Sequence, residues 1–587
     1  MSTSNDIAEG SSQPQVSHEN DESNKGFVRA FYIANTMEIF ERLAWYGFFA
    51  LSSIYMTTPV SQGGVGFTDG QRGALQGIIP FFLYLLPVFT GALADRFGYR
   101  KMFIVSFAIM APSYYLLGQA TSFSSFFITF AMVALGAACF KPVVVGTITH
   151  ATNDSNRGLG FGIFYTMVNI GGFIGPLVAG YLRAISWDAG FLMSSLWILL
   201  NFIPVIFFYK EPKTLEKSNA SIRQVLSEAQ QVLGNGRFAF AIFPCIFILM
   251  AAGASFIDYS TAFIMIAGWL VFNLVWQRIC SEKNTKWYLE KAKVSNKPFA
   301  LYLLLLTGFW AVYNQLFYTM PLYIRDFVDT RDLVAYISIF GEGAVNFLAS
   351  VNIELLAEKL QEFIVAGASA SAISAELVHL KVLVPIADIE AAISQVAAGA
   401  HSGSGLNPEE AMILAQQWAD SYRQINPEYI INLDFAAIVV CQIAVSLVCA
   451  RFKTINVLVV GVAIFAIACL VAIIANDIAA GGLAAVLAVL MMAFGEMVTS
   501  PKSQEYVASI APDNQAALYM GYYFVSMALG FLFAGLLSGW GYGEIAKNQN
   551  NPALMWVIFA VLGLVTSVGL LWFNRYYLAR NKFEASN

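Results

Sequence analysis

Long apolar runs separated by short polar stretches dominate the pattern of this chain. A helix of about 20 apolar residues crosses the hydrocarbon core of a bilayer, so each run is predicted to be a membrane-spanning helix. The pattern predicts fourteen spans, in a six plus two plus six arrangement. These spans lie near residues 28–56, 71–91, 101–118, 123–149, 158–183, 188–209, 238–256, 260–280, 299–324, 431–450, 454–475, 482–509, 514–539 and 553–577.

The polar stretches complete the predicted organisation. The first residues are polar and acidic, which is typical of a disordered tail. The region between the sixth and seventh core spans contains a short amphipathic candidate helix around Ser221–Leu233. The predicted units are a disordered cytoplasmic tail at 1–26, an N-terminal six-helix bundle at 27–209, a linker with two extra helices at 210–297, a C-terminal six-helix bundle at 298–577, an insertion within it at 325–430, and a second tail at 578–587.

The insertion between the seventh and eighth core spans carries helical patterning. Ile353, Leu356 and Leu360 recur at the three-to-four spacing of an amphipathic helix. A second helix is indicated by Asn407 as its cap and Pro408 at its first turn. We expect a small helical cap domain, and a module that captures substrate is the alternative.

Composition limits the class of protein. Of the 587 residues, 58% are hydrophobic and 12% are charged, and the mean hydropathy is +0.62. A soluble fold cannot bury that much apolar surface, so we expect an all-α polytopic membrane protein in a lipid bilayer, without a nucleic-acid partner. The six cysteines lie in or beside apolar runs without metal-ligand spacing, so we expect neither a metal site nor a disulfide framework.

Lysine and arginine are distributed unevenly among the loops. Alternate loops receive clusters, such as those at 96–101 and 283–297, whereas the other short loops receive little more than Arg183 and Lys547. Because cytoplasmic loops carry the excess of positive charge, both termini are predicted to be cytoplasmic. The insertion, in which acids outnumber bases, is then extracytoplasmic.

Three charges interrupt the first span. Glu38, Glu41 and Arg42 lie on one side of a helix. Each charge costs roughly 2.5–3.5 kcal/mol at the membrane centre, so these side chains are expected to face a bundle interior or a wet cavity. Two interpretations stay open: Arg42 pairs with a glutamate only to hold helices together, or the surplus acid is free to bind a proton.

Lys141 and Glu496 are lone charges well inside apolar spans, one in each half of the chain. Brought together across a cavity, they would stabilise each other's charged forms. Such a pair could act as a switch, because protonation of Glu496, or a substrate carboxylate offered to Lys141, would release it. The alternative is a static bridge between the halves.

The short loop after the second span carries a motif of glycines and charges, with Gly91, Asp95, Arg96, Gly98 and Arg100 as its members. The glycines permit a tight turn, and the cations suit the cytoplasmic face. The motif resembles the G-x-L-A-D-R-x-G-x-R loop of the major facilitator superfamily. That resemblance implies two six-helix halves that enclose a central cavity and open it alternately to each side.

Further motifs point to one branch of that superfamily. The segment 38–47 resembles the E-x-x-E-R-F-x-Y-Y-G signature of the proton-coupled oligopeptide transporters, and 164–171 resembles their F-Y-x-x-I-N-x-G signature. Phe140-Lys141-Pro142 and the stretch 494–501 also match in kind and place. The extra helix pair is similar to that of bacterial members, which implies a location in the cell (inner) membrane.

The resemblance implies roles for individual residues. The implied proton-coupling residues are Glu38, Glu41, Arg42, Lys141 and Glu496. Glu496 would receive the amino terminus of a peptide, and Arg42 and Lys141 would hold its carboxylate. The other implied substrate-binding residues are Tyr46, Tyr84, Asn169, Trp310, Asn314, Asn432 and Tyr523.

Two positions depart from the family pattern. Phe49 stands where the family usually carries an arginine, and Asn314 stands where it usually carries a glutamate. Their joint replacement is physically coherent, because removing one member of a buried ion pair strands the other at a cost of roughly 3–5 kcal/mol. The loss weakens the case for a free peptide carboxylate as ligand. Asp434 is a weak candidate for a substitute acid.

The sequence therefore predicts a proton-coupled symporter that imports di- and tripeptides by alternating access, without a cofactor, and as a monomer. The nearest alternative is the same fold and coupling with another cargo, either a peptide-like or an organic-acid metabolite. A non-transporting membrane sensor is a remoter alternative. An enzyme is not expected, because the spans show no paired nucleophile and base, metal cluster or phosphate loop.

Overall fold

A computed structural model describes residues 26–153, 156–211, 235–280, 287–294, 296–399, 406–476, 478–511 and 516–577. The predicted tails, apart from residue 26, and the candidate helix at Ser221–Leu233 lie outside these residues. The described chain is helical, and its only β pairing is an isolated bridge between Val382 and Arg423.

The helices of the first half follow the predicted apolar runs. A capping box between Thr68 and Gln71 begins the second helix, and Pro87 interrupts that span and begins the third. In chain order these helices are α1 Arg29–Thr57, α2 Asp69–Leu85, α3 Pro87–Phe97, α4 Tyr99–Gly118, α5 Phe123–His150, α6 Arg157–Ile185 and α7 Trp187–Leu200, the last continued by a π-helical turn at Pro204–Phe208.

Two more helices precede the second half, α8 Gly236–Gly253 and α9 Tyr259–Ile279. They pack on each other, and α8 also contacts α2. The seventh core span is broken after Tyr313 and again at Thr319, so it consists of three pieces. These pieces are α10 Lys297–Tyr313, α11 Gln315–Tyr318 and α12 Met320–Phe327.

The insertion is a small helical unit with its own apolar core, as predicted. A capping box between Asn407 and Glu410, with Pro408 in the first turn, confirms the predicted start of its last helix. Its helices are α13 Arg331–Ile337, α14 Glu342–Leu348, α15 Ile353–Val365, α16 Ala370–His379, α17 Ile386–Gly399 and α18 Pro408–Tyr422. Leu356, Leu360, Leu377 and Trp418 are among the buried residues of its core.

The rest of the second half returns to long apolar helices. They are α19 Pro427–Ile431, α20 Leu433–Cys449, α21 Thr454–Ile474, α22 Gly481–Ile510, α23 Ala516–Trp540 and α24 Pro552–Trp572. The last two continue as π-helical turns at Gly541–Asn548 and Phe573–Tyr577.

Twelve of the described helical segments are long and apolar enough to cross a membrane, or thirteen if the bent pair α2 and α3 counts as one span. The 29-residue α1, which carries the three predicted charges, is not among them. The chain is therefore a multi-pass, all-α membrane protein, as the hydropathy pattern predicted.

The two halves pack most closely where α2 runs beside α23. Glycines on both helices allow the backbones to touch, because a side chain at Gly73 would collide with the Gly535 carbonyl and one at Gly77 would lie 2.9 Å from the Leu532 carbonyl oxygen. This glycine seam lies at the same end of the molecule as the insertion, where Gln62 of the first half donates a 2.8 Å hydrogen bond to Glu376. We call this the insertion end.

Buried polar contacts also join the halves at the insertion end. The Arg72 guanidinium donates to the Tyr318 carbonyl and to the Ser538 hydroxyl, both at 3.0 Å. Arg183 binds both carboxylate oxygens of Glu428 at 2.9 and 3.0 Å, with both side chains buried. In this structure the molecule is closed at the insertion end.

Candidate functional site

The first-half part of the site is a buried cluster of charges on α1. Arg42 lies between both predicted acids: its Nε is 3.3 Å from a Glu38 oxygen and donates at 2.5 Å to Glu41, with which it also forms a second, shorter contact. All three side chains are nearly inaccessible to solvent. One oxygen of each glutamate has no hydrogen-bond partner among the described residues. The cluster thus keeps the surplus negative charge that the sequence predicted.

Two tyrosines line the same cluster. The Arg42 guanidinium stands 5.5 Å from the centre of the Tyr46 ring, and the Lys141 ammonium stands 4.6 Å from the centre of the Tyr84 ring. Both distances are within the range of a cation–π contact. Lys141 is electrostatically coupled to the charges of α1, including Glu38 and Glu41. The structure thus brings Arg42, Lys141 and both predicted tyrosines together.

The predicted ion pair between Lys141 and Glu496 is not formed in this structure. No nitrogen–oxygen contact within 4.0 Å joins these two described residues, and the Lys141 ammonium lies over the Tyr84 ring instead. The reason is positional: the polar contacts that join the halves are at the insertion end, whereas Lys141 belongs to the part of α5 that approaches α1. A lone lysine and a lone glutamate in the sequence do not reveal which charges the fold places beside them.

The second-half part of the site is built around Glu496 on α22. Its side chain is buried, and its carboxylate interacts with the hydroxyl of Tyr313 on α10. Asp434, in the first turn of α20, is fully buried and acts electrostatically on Glu496. Tyr313 was not among the predicted site residues, and Asp434 was only a weak candidate for a substitute acid. The charge of Asp434 inside an apolar span was the available signal.

Aromatic side chains surround these polar groups, as the resemblance implied. Tyr523 is fully buried, its hydroxyl lies 3.1 Å from the Ser503 hydroxyl, and its ring meets that of Trp310 edge-on at 6.2 Å. Tyr46 meets Phe435 edge-on at 4.7 Å, which is a contact between the halves. The Trp310 ring nitrogen has no hydrogen-bond partner within the described part of the chain.

The three predicted asparagines donate to backbone carbonyls. Asn169 donates to Tyr165 at 2.8 Å, and Asn314 donates to Trp310 at 2.7 Å, each one turn back in its own helix. Asn432 donates at 2.9 Å to the Phe173 carbonyl, so this amide joins the two halves. The side-chain oxygens of Asn314 and Asn432 are buried and accept no hydrogen bond from any residue that the structure describes. Those oxygens are the parts of these amides that remain for a ligand.

The departure at Phe49 has a structural counterpart. The Phe49 ring packs against Phe317 at 5.7 Å and against Tyr318 at 5.6 Å, both on the broken seventh span. An aromatic contact between the halves therefore occupies the place where the family pattern puts a charged residue. Asn314, whose amide bonds within its own helix, leaves no buried charge without its partner.

The predicted loop motif forms a tight connection between α3 and α4. Gly98 has a φ of +95°, and a side chain there would meet the Glu211 carboxylate at 2.7 Å. Asp95 accepts a 3.2 Å hydrogen bond from the Tyr99 hydroxyl, and Arg100 donates at 2.6 Å to the Ile206 carbonyl. Arg96 lies over the ring of Phe97, and Gly91 packs near Pro142.

The polar contacts that join the two halves at the insertion end were not predicted from the sequence. Arg72 is fully buried near the start of α2, and Glu428 is fully buried in α19. A charge just inside an apolar run was a signal for both. No group of three or more metal-ligating side chains is present among the described residues.

Comparison with known proteins adds the family. The model for the Major Facilitator Superfamily matches residues 38–408, which is well over half of the chain. The peptide transporter YePEPT of Yersinia enterocolitica is 27% identical over 311 residues, covering 50% of this chain and 59% of that protein. An uncharacterized transporter of Bacillus subtilis, YclF, is 25% identical over 297 residues, covering 49% of this chain and 58% of that protein. The chain thus spans less than two thirds of the length of these relatives.

Solved structures resemble the fold across nearly the whole chain. A POT family transporter in complex with 5-aminolevulinic acid has a TM-score of 0.60 at 14% identity, covering 93% of this chain and 96% of that one. A peptide transporter POT in complex with sulfate has a TM-score of 0.58 at 16% identity, covering 93% and 95%. The predicted fold and its resemblance to these transporters are confirmed, and the chain belongs to the major facilitator superfamily.

Proposed function

We propose that this protein is a proton-coupled symporter that imports di- and tripeptides by alternating access. The observation that carries the proposal is the division of charge across the site. The first half offers Arg42 and Lys141 to a carboxylate, and the second half offers Glu496 to an ammonium group. Tyr46 is electrostatically linked to both Arg42 and Glu496, so it lies between the two ends. A short peptide carries those opposite charges at its two termini.

In this proposal the protein works as a monomer in the inner membrane, with both termini cytoplasmic and the insertion outside. The structure is then closed to the outside. Protons from outside neutralise Glu38 or Glu41 and Glu496, the loaded protein closes outward, and release follows on the inner side. No covalent bond changes except those to the transported proton, so this is transport and not enzymatic catalysis.

Phe49 favours a second candidate cargo. With an aromatic contact in place of a charged one, the site has one fewer cation than the family pattern. A peptide-like or organic-acid metabolite would need fewer cations, and one solved structural neighbour holds 5-aminolevulinic acid. Competition for uptake distinguishes the two cargoes.

The test is counterflow in proteoliposomes loaded with dialanine, together with uptake driven by an inward proton gradient. Wild type should exchange peptide and respond to the gradient. Lys141→Ala should weaken exchange, because a carboxylate contact is lost, and Glu496→Gln should abolish the response to the gradient. Glu358→Gln, an exposed carboxyl of the insertion, is the matched control and should behave as wild type. Failure of wild type to exchange any peptide would overturn the cargo and favour the second one.

A further inference from the structure

Two carboxyl groups are buried on neighbouring helices of the second half. Asp434 is fully inaccessible to solvent, and neither of its carboxylate oxygens has a hydrogen-bond partner in the described chain. Glu496 is 9% exposed, and one of its oxygens is likewise unpartnered. The charge of Glu496 acts on the Asp434 carboxyl group. The helices that carry them, α20 and α22, pack directly against each other.

No cation compensates this pair among the residues that the structure describes. The ionisable groups that face it from the neighbouring helices α1, α6, α10 and α23 are tyrosines, namely Tyr46, Tyr165, Tyr313 and Tyr523. Arg42 reaches the pair only across Tyr46, and it is already bound to Glu38 and Glu41. Lys141 interacts with the charges of α1. The pair therefore differs from the α1 cluster, which contains its own cation.

Two carboxylates cannot both stay ionised in an apolar interior without a counter-charge, because burial and mutual repulsion both act against the second charge. Such a pair shares a proton, and it can release that charge penalty only by binding positive charge. The site accordingly has two places for positive charge, one on each carboxyl group.

We propose that Asp434 and Glu496 act as one proton-sharing pair, in which Asp434, and not Glu496, carries the transported proton of the second half while Glu496 holds the ammonium group of the substrate. This inference deepens the proposed function and rests on it for the identity of the ammonium group. Asp434 takes the proton because it is the more deeply buried of the two and has no other partner. Glu496 takes the substrate because it is the partly exposed one and stands beside Tyr313.

The step balances in atoms and charge. A proton from the outer solution forms an O–H bond with the Asp434 carboxylate, and the same bond breaks when the proton leaves to water on the inner side. With one proton and one ammonium group bound, the pair is neutral, whereas either one alone leaves a buried negative charge. The half-loaded site therefore carries a charge penalty that the fully loaded site lacks, so binding of the proton and binding of the substrate favour each other.

Phe49 and Asp434 change the set of ionisable groups on the transport path. The aromatic contact of Phe49 removes a charged link between the halves, and Asp434 adds a carboxyl group in the second half. Two ionisable groups of the family pattern are therefore absent from the transport path, and one carboxyl group is gained. In the first half, by contrast, the two glutamates and the arginine of the family signature are all present, as Glu38, Glu41 and Arg42.

The experiment combines transport with infrared spectroscopy on the purified full-length protein in lipid. Asp434→Asn keeps the size of the side chain, so it should retain dialanine counterflow but lose accumulation driven by the proton gradient. Asp434→Glu should restore part of that accumulation, and Glu358→Gln should change nothing. In the infrared difference between acidic and alkaline samples, a protonated-carboxyl band of wild type should be lost in Asp434→Asn and shifted in Glu496→Gln.

Two results would overturn the inference: unchanged gradient-driven accumulation in Asp434→Asn, or a protonated-carboxyl band that neither substitution alters. The infrared measurement needs no substrate, so it separates the two proposals. If wild type carries no peptide but its band responds to both substitutions, the proposed function fails and the shared proton stands. If wild type carries peptide but the band ignores Asp434, the function stands and the pair is refuted. Thermal unfolding of Asp434→Asn checks that the variant is folded.

Discussion

The two ends of the molecule are held together differently. At the insertion end, α2 and α23 touch backbone to backbone, and Arg72, Arg183 and Glu428 form buried polar contacts between the halves. At the opposite end, α3 does not pack along α23 as α2 does at the insertion end. Within the described residues, no helix pair there joins the two halves with comparable packing. A carrier that works by alternating access needs one end closed while the other is free to exchange its contents.

This difference shows which contacts stabilise the closed insertion end. The glycine seam supplies close contact, and the buried ion pair supplies specificity, since either charge alone would be costly to leave at the interface. The opposite end carries no such set of contacts in this structure, so closing it requires that the insertion end opens. The strength of the insertion-end contacts therefore sets the balance between the two states.

The largest effect is expected from Gly73→Leu. A side chain at this position collides with the Gly535 carbonyl and with the backbone of Gly539, and a helix backbone cannot move aside locally. Overpacking costs about 1–3 kcal/mol where side chains can move aside. Here only backbone atoms are in the way, so the cost should exceed that of losing any single contact, the insertion end should stay open and transport should stop. Spin labels at Val60→Cys and Gln549→Cys, in a variant without the six native cysteines, measure the opening as a longer distance.

Gly521→Leu is the matched control for that experiment. Gly521 lies on α23, the helix that Gly73 meets, but no neighbouring atom lies within 4 Å of a side chain added there. It should keep the wild-type distance and wild-type transport. A Gly73→Leu protein with an unchanged distance would show that the seam does not hold the insertion end closed.

A smaller but still large effect is expected from breaking one ion pair. Arg183→Ala leaves Glu428 buried without its cation, which should weaken closure by roughly 3–5 kcal/mol. The double variant Arg183→Ala with Glu428→Ala removes both charges and should be closer to wild type than the single one. The same label distance, measured across a denaturant-free temperature series, reports the balance. Wild-type behaviour of Arg183→Ala would mean that the pair contributes nothing to closure.

The smallest effect concerns pH and belongs to Lys381 in the insertion. Burial, and next to it the charge of Arg183, lower the pKa of Lys381 from 10.5 to about 7. A base whose pKa is lower in the closed state favours closure at high pH, and that preference is lost as the pH falls toward about 7. Opening takes Arg183 away from Lys381 and removes its share of this shift. Acidification from about pH 9 to about pH 7 should therefore favour opening, by less than the tenfold per pH unit, or about 1.4 kcal/mol, that loss of the whole shift would give.

Lys381→Met should remove this dependence, because methionine carries no proton while keeping a long side chain. His379 serves as the internal control: burial and Arg325 lower its pKa from 6.5 to about 3, so it affects closure only below its ordinary value. His379→Gln should leave the profile above pH 7 unchanged. The label distance as a function of pH checks both variants, and a Lys381→Met profile that still rises with acidification would refute the role of Lys381.

Much of this structure was predictable because its signals are local. A run of apolar residues is sufficient for a spanning helix, and Asn407 with Pro408 is sufficient for a helix start. Glu38, Glu41 and Arg42 stand at helical spacing in one span, so their shared face and burial followed directly from the sequence. The residue roles carried over from the family remain predictions.

The parts that could not be predicted depend on partners distant in sequence. A glycine within an apolar run looks the same whether it meets lipid, as open space at Gly268 suggests, or the backbone of another helix, as at Gly73. The same limit explains the missed pair of Arg183 and Glu428, which are 245 residues apart. It also explains why the sequence could not show whether Lys141 and Glu496 are in contact in this structure, since only the fold decides which charges become neighbours.

The insertion is attached unequally to the two halves. To the second half it is bound by Asp332, which accepts hydrogen bonds from the Gly482 and Leu483 amides. To the first half it offers the Gln62–Glu376 contact and a ring contact between Tyr181 and Phe347 at 6.1 Å. The surface around that junction is thus an epitope assembled from both halves. A binding protein raised against it would recognise the closed end alone and would report, or arrest, a single stage of the cycle.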